Sequence, residues 1–238
     1  MKAADIQGRL QTLGNPERVR ILQRFFKTAK GEYGEGDVFI GLYVPEIRKL
    51  AREYGDLPLP EAVDLLHSPI HEARLLALLI LVGAYDRGDA AARERIYRLY
   101  LEHTRFINSW DLVDASAGHI VGRHLLERSR APLHALSASG LLWDRRIAVM
   151  ATFHFIKRGE FAETLHIAER LLRDREDLIQ KAVGWMLREI GKRDRAAEET
   201  FLKVHCRIMP RTMLRYAIEK FPEELRRRYL RGEPPGKS

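Results

Sequence analysis

Arg146-Ile147-Ala148, Lys181-Ala182-Val183 and Arg215-Tyr216-Ala217 are three versions of one phrase, a cation followed by the start of an apolar helical run. They are 35 and 34 residues apart, and Arg74, before Leu75-Leu76-Ala77, lies 72 residues ahead of the first, about two such steps. A period of this size suits stacked helix pairs, each burying its apolar side against its neighbours in a curved solenoid. Chance is the competing account, because helical proteins commonly set basic residues beside apolar ones. If the stack holds, Arg146, Lys181 and Arg215 fall at similar places on one concave wall. Lys157, Arg158, Arg188 and Lys192 at helix ends would thicken its positive charge, and such a stripe can neutralise phosphates along a duplex. The alternative is a solvated polar face with no ligand.

Outward from these phrases the chain reads as helix after helix. Asn15-Pro16-Glu17 supplies a cap, a first-turn proline and an early acid for a helix running through Val19, Leu22 and Phe26. Val44-Pro45-Glu46 starts another, which stops near Gly55. A long apolar helix is predicted from His71 to about Asp86, with Gly88 past its end. Further helices are predicted over Ala90–Glu102, Trp110–Glu127, Trp143–Arg158, Phe161–Arg173, Glu176–Ile190, Arg195–Cys206 and Arg211–Lys220, with Gly159 and Gly191 at C-terminal cap positions. No stretch has the alternation of a strand pair. The expectation is therefore an all-α single domain over residues 1–231, followed by a Pro/Gly-rich flexible tail over 232–238.

Composition narrows the class. With 45% hydrophobic and 31% charged residues in 238, the chain can bury a core and is not disordered. Its longest apolar run, Leu75 to Ala84, is about half a membrane span. The N-terminus lacks the apolar stretch of a signal peptide, and one cysteine, Cys206, permits no internal disulfide, which fits a cytoplasmic location. A net charge of +8 and a pI near 9.7 favour a polyanionic partner over a generically basic protein.

Most chemical signatures are missing: there is no GxxxxGK[ST] loop, GxGxxG, HExxH, CxxC or GxSxG. His67 and His71 stand four apart and could share a metal, but no third or fourth ligand is apparent, so they read as surface or interface residues. What remains is a tryptophan–acid constellation. In Asn108-Ser109-Trp110-Asp111-Leu112-Val113-Asp114, Asn108 or Ser109 can cap a helix and Asp111 complements its positive end. Trp110 and Asp114, four apart, share a face. Trp185 sits in Gln180-Lys181-Ala182-Val183-Gly184-Trp185, where Gly184 permits close helix contact. Each of these residues, taken singly, also reads as core packing or an interhelical polar contact.

Together, Trp110-Asp111-Leu112-Val113-Asp114, Trp143-Asp144-Arg145-Arg146 and Gln180-Lys181-Ala182-Val183-Gly184-Trp185-x-Leu187-Arg188-Glu189 resemble the AlkD family of DNA alkylation-repair glycosylases. Gly41-Leu42-Tyr43-Val44-Pro45-Glu46-Ile47-Arg48 is similar to that family's G-[IVL]-x-x-P-x-x-R segment, and the resemblance spans about residues 15 to 220. It implies a solenoid of HEAT-like antiparallel helix pairs with a concave basic face, and excision of N3- and N7-alkylated purines. It implies that Trp110 and Trp185 contact the lesion-bearing nucleotide and that Asp114 is the catalytic carboxylate. Arg146, Arg48 and Arg188 would hold the DNA backbone, with Arg145, Lys157 and Lys181 on the same surface. Phe25 stands where some members carry a DNA-contacting tyrosine, so that polar contact is lost here.

These residue types suit the chemistry. A base alkylated at N3 or N7 is positively charged and leaves neutral, so it needs no protonation. Most glycoside hydrolysis uses two carboxylates; here one, stabilising the oxocarbenium-like sugar and orienting water, suffices. Tryptophan faces attract cations by about 0.5–2 kcal/mol. No flipped-base pocket is visible in the sequence, and the resemblance implies action from the sugar side, which would tolerate bulky adducts. The expected partner is duplex DNA containing alkylated purines, bound by a monomer associated with the nucleoid, without cofactor, metal or membrane. Two alternatives compete: a non-catalytic relative that binds branched or damaged DNA, and a protein-interaction scaffold.

Overall fold

The helix His71–Arg87 carries no polar face: every residue from His71 to Leu78 is buried. A helix that is apolar all round belongs in a core, and here it packs against Val44–Glu53, Leu59–Leu66 and Ala90–Glu102. Its three buried polar residues, His71, Glu72 and Arg74, must therefore find partners inside the protein.

The structure, a computed structural model, describes residues 2–234. Among these residues it is all-helical apart from an isolated bridge between Val38 and Ile70. Two compact units are present, Met1–Ser116 and Ala117–Ser238. The first holds Ala3–Leu13, Pro16–Phe25, Val44–Glu53, Leu59–Leu66, His71–Arg87, Ala90–Glu102 and the start of Trp110–Ala117. The second holds Arg123–Leu125, Ala131–Ser137, Leu142–Ala151, Phe153–Ile156, Ala162–Arg170, Asp177–Gly191, Arg195–His205, Arg211–Ala217 and Glu223–Leu230. No described helix is long and apolar enough to cross a membrane. The tail expected from Gly232 lies, from Pro235 on, outside the described residues.

Capping explains several starts. Asn15 accepts from the Glu17 N–H at 3.0 Å, Asp89 from Ala92 at 2.7 Å and Asp194 from Ala197 at 2.9 Å. Four helices escape the sequence reading: Ala3–Leu13, Leu59–Leu66, Ala131–Ser137 and Glu223–Leu230. The last three are short and begin beside a proline, which reads as a breaker although it fits a first turn. The helix predicted over Trp110–Glu127 contains a π-turn at Gly118–Gly122. The one predicted over Trp143–Arg158 is interrupted at Thr152, whose buried hydroxyl turns back to the Val149 carbonyl at 2.7 Å.

Two expectations are corrected. Gly191 is the last helical residue and not a cap; a Cβ there would overlap the Glu198 carboxyl, so the glycine makes room for that side chain. The repeat is real in the local hydrogen bonding but shifted by one residue. Ser68 accepts from the Ile70 N–H at 3.2 Å while Arg74 donates back to the Ser68 carbonyl at 2.9 Å. Ser139, Leu141 and Arg145 repeat this at 3.1 and 3.0 Å, and Asp174, Glu176 and Gln180 at 2.9 and 3.0 Å. The equivalent positions are thus Arg74, Arg145 and Gln180, one residue before Arg146 and Lys181. The shared environment expected for Arg146, Lys181 and Arg215 does not hold: Arg146 is buried, Lys181 half-buried and Arg215 exposed.

Glu198 itself is only 1% exposed, and its Oε1 has no hydrogen-bond partner. Burial pushes its carboxyl up to about 8, against the opposing pull of Arg195 and Arg188. A carboxyl raised in the folded state gives stability that is complete below its unfolded value near 4.5 and is lost as pH rises through about 8. Glu198→Gln should therefore melt progressively higher than the parent as pH increases across that window. At about 2–4 °C per kcal/mol for a chain of this size, circular-dichroism melts at pH 5 and 8.5 will resolve it; equal differences at both would refute the buried-carboxyl account.

Candidate functional site

Trp110 and Asp114 stand on successive turns of Trp110–Ala117 and line the same cavity of about 370 Å³ within the first unit. Leu22 and Phe25 come to it from Pro16–Phe25, Phe39, Leu42 and Tyr43 from the segment before Val44, and Ile47 and Arg48 from Val44–Glu53. Its walls are mostly apolar and aromatic, with Arg48, His71, Glu72, Asp111 and Asp114 as charged or titratable groups. A mostly apolar hollow with a few convergent polar groups is the usual form of a small-molecule site. No sequence signal announced it.

One wall depends on Glu72. Its carboxylate accepts from the backbone N–H groups of Ile40, Gly41 and Leu42, Oε1 lying 3.1, 2.9 and 3.3 Å away. Gly41 has φ +90, and a Cβ there would sit 2.1 Å from the Asn15 carbonyl oxygen, so glycine is required. The resembling G-x-x-x-P segment is thus a wall whose glycine serves close backbone approach.

The other wall is aromatic. Phe26 stacks on Trp110 with centroids 5.4 Å apart and on Phe39 at 5.0 Å, and Phe25 meets Trp110 edge-on at 5.8 Å. His71 lies against Phe39 at 4.5 Å and Phe26 at 4.8 Å. Phe25 is 62% exposed, so its ring is available at the rim.

Behind the aromatic wall runs a chain of charges. Arg74 donates to Asp37 Oδ1 at 2.7 Å, Asp37 Oδ2 meets His71 Nδ1 at 3.1 Å, and His71 Nε2 meets Asp111 Oδ2 at 2.9 Å. Burial opposes protonation of His71, but the hydrogen bonds to Asp111 and Asp37 outweigh it and push the imidazole up to about 9. Burial likewise opposes ionisation of Asp37, yet His71 and Arg74 hold its carboxyl below the usual range. His71 is therefore not the surface residue its spacing from His67 suggested, and among the described residues no group of three or more His, Cys, Asp or Glu side chains could hold a metal. His71, Asp37 and Glu72 were missed because their partners lie 30 or more residues away, where no local pattern reports them.

In the second unit Trp185 is half-buried, donating to Glu189 Oε1 at 3.2 Å and facing Phe153 at 6.2 Å, with Lys157 4.2 Å over the Phe153 ring. Gly184 lets this helix touch Arg211–Ala217, since a Cβ would lie 2.4 Å from the Met213 carbonyl. Lys181 pairs with Asp177 at 2.6 Å and Arg188 with Glu219. Arg145 is held by Asp174 at 2.7 Å and by the Ser139 and Gly140 carbonyls. Arg146 is 4% exposed and donates to the Leu178 carbonyl at 2.6 Å. Of the cations expected to meet DNA, Arg48 and Lys157 are exposed, while Arg145 and Arg146 are largely spent on the protein.

The chain matches the family described as DNA alkylation repair enzyme over residues 6–221. A solved structure described as "Predicted DNA alkylation repair enzyme from Enterococcus faecalis" is similar in fold, with a TM-score of 0.67 at 18% identity, covering 88% of this chain and 97% of that one. No curated protein matches. The family match spans nearly all of the chain, including the tryptophan–acid segments that resemble the AlkD type, and the chain belongs to the DNA alkylation repair enzyme family.

Proposed function

We propose that this chain is a DNA glycosylase that hydrolyses the N-glycosidic bond of positively charged N3- or N7-alkylated purines in duplex DNA. The observation that carries the reading is a carboxylate and an indole, Asp114 and Trp110, side by side on one helix and lining one cavity. As the C1′–N bond breaks, its electron pair leaves with the base, which departs neutral. Positive charge builds on the deoxyribose, and the Asp114 carboxylate opposes it. Water adds to C1′ and its proton passes to Asp114 or to solvent. Trp110 and Trp185 favour the cationic nucleotide by their ring faces, and the base is not flipped into an enclosing pocket.

Arg48, Lys157, Lys181 and Arg188 are assigned to phosphates and Phe25 to the DNA surface. Lys181 and Arg188 would give up their ion pairs with Asp177 and Glu219 for this, and Arg145 and Arg146 are assigned to the backbone by the same exchange of protein partners for phosphate. A lost phosphate contact lowers the slope of log affinity against log salt by about 0.9. Arg48→Ala should show that reduction in fluorescence-anisotropy titrations at several salt concentrations; an unchanged slope removes Arg48 from the interface.

The deciding experiment is release of methylated purines from methylated duplex DNA, followed by chromatography. Release by catalytic amounts of the chain supports the reading. No release at saturating enzyme, together with tighter binding to branched than to linear duplex, would replace it with the non-catalytic alternative.

A further inference from the structure

We propose that His71 is a positioning residue of this site: pinned between Asp37 and Asp111, its imidazolium holds in place the start of the helix that carries Trp110 and Asp114. The geometry assigns the charged ring. Both ring nitrogens face carboxylate oxygens, at 3.1 and 2.9 Å, and ionised carboxylates only accept. A neutral imidazole has one N–H, so its other nitrogen would turn a lone pair toward an acceptor in a place that is 2% exposed. With Arg74, Asp37, His71 and Asp111 all charged the chain of groups is neutral; without the ring proton it is an anion behind the cavity.

His71 reaches the two site residues by separate routes. Through Nε2 it holds Asp111, the residue after Trp110 and three before Asp114. Through its ring it supports Phe26, which stacks on Trp110. Loss of the proton leaves one N–H for two carboxylates, so either Asp37 or Asp111, whose Oδ1 is already without a partner, loses its donor, and an uncompensated negative charge remains one turn from a second carboxylate on the same helix face. The charged groups facing this chain are few. Glu72 and Arg74 lie on its own helix, Asp37 precedes the Val38 bridge, Asp111 and Asp114 come from Trp110–Ala117, and Arg48 from Val44–Glu53. Leu59–Leu66 directs Glu61 away to Lys2 and the Ala3 N–H, and Ala90–Glu102 directs Arg93 to the Tyr85 and Asp86 carbonyls.

The activity half of this inference rests on the glycosylase reading; the positioning half does not. Two measurements on the full chain separate them. Trp143→Phe with Trp185→Phe leaves Trp110 as the sole tryptophan, and its fluorescence is titrated from pH 6 to 10. Base release is measured across the same range with all tryptophans present, corrected for the enzyme-free reaction. We expect a one-proton midpoint near 9 in the Trp110 signal, absent in His71→Gln and shifted down by about 1 pH unit or more in Asp37→Asn, which removes one opposite charge. Above the midpoint, kcat should fall about tenfold per pH unit with KM for DNA changed less than about twofold. A Trp110 signal flat from pH 6 to 10, or a midpoint that Asp37→Asn leaves in place, overturns the proposal. Titration of Trp110 with a flat kcat profile confines His71 to structure. Titration with no base release at any pH sinks the glycosylase reading and leaves the positioning role standing. Far-ultraviolet circular dichroism confirms that each variant is folded, and Asp37→Asn carries the test if His71→Gln is not.

Discussion

Asp114→Asn is expected to slow release of N3- and N7-methylpurines by about 10²–10³-fold, the loss that follows removal of one aimed electrostatic group from a transition state. The substitution is close to isosteric, so it alters charge with little change in shape. Asp114 is half-buried at the cavity, on a helix that has other anchors besides this residue. Tyr100 meets Ser116 at 2.9 Å and Ser116 donates to the Leu112 carbonyl at 2.6 Å, which anchors the middle of that helix. The melting temperature should therefore stay close to the parent's. Affinity for undamaged duplex should hold as well, or rise slightly, since a negative group is removed and the cations proposed to meet phosphate are untouched. Single-turnover kinetics on methylated duplex, beside anisotropy on unmethylated duplex, separate the effects. A parental rate would exclude Asp114 from the chemistry, and a parallel loss of rate and of affinity would make it a binding residue.

What the sequence could disclose depended on how local the cause was. Helices whose caps lie next to them in the chain were legible: Ala90–Glu102 behind Asp89 matched at both ends, and Pro16–Phe25 behind Asn15 at its start. The pairing of Trp110 with Asp114 was legible because four residues make a turn. The repeat could be sensed but not registered, because Arg145 and Arg146 are adjacent cations and it is their hydrogen bonds, Arg145 back to Ser139 and Arg146 to Leu178, that distinguish them. The buried charges behind the site were illegible. His71–Arg87 is apolar on all sides, so its pattern assigns no inward face, and the partners of His71 stand 34 and 40 residues away. Glu72 beside it stands in the first turn of that helix, and the N–H groups it accepts from lie 30 to 32 residues away in the chain.

Glu72→Ala is the substitution expected to damage the fold most. A first-turn glutamate is normally worth a few tenths of a kcal/mol through the helix dipole. This one is 2% exposed and is the acceptor for three consecutive backbone N–H groups, from Ile40, Gly41 and Leu42. Those groups have little alternative, since the segment runs alongside helical elements with only the Val38–Ile70 bridge as β pairing among the described residues. Each buried donor left unpaired costs about 1–3 kcal/mol, and because neighbours are not additive the expected loss is about 3–5 kcal/mol. At about 2–4 °C per kcal/mol, the melting temperature should fall by roughly 6–20 °C. Glu72→Gln retains one carbonyl oxygen but turns an NH₂ toward the same donors; Ile40 N–H alone touches both carboxylate oxygens, at 3.1 and 3.2 Å. Its loss should lie between the parent and the alanine variant. The functional consequence follows from geometry: the tethered segment bears Leu42 and Tyr43, which line the cavity with Trp110 and Asp114. Where Glu72→Gln remains folded, its methylpurine release should fall more than its affinity for undamaged duplex. Melts of all three proteins check the order, and an alanine variant as stable as the parent would mean that water or a rearranged loop satisfies those three N–H groups.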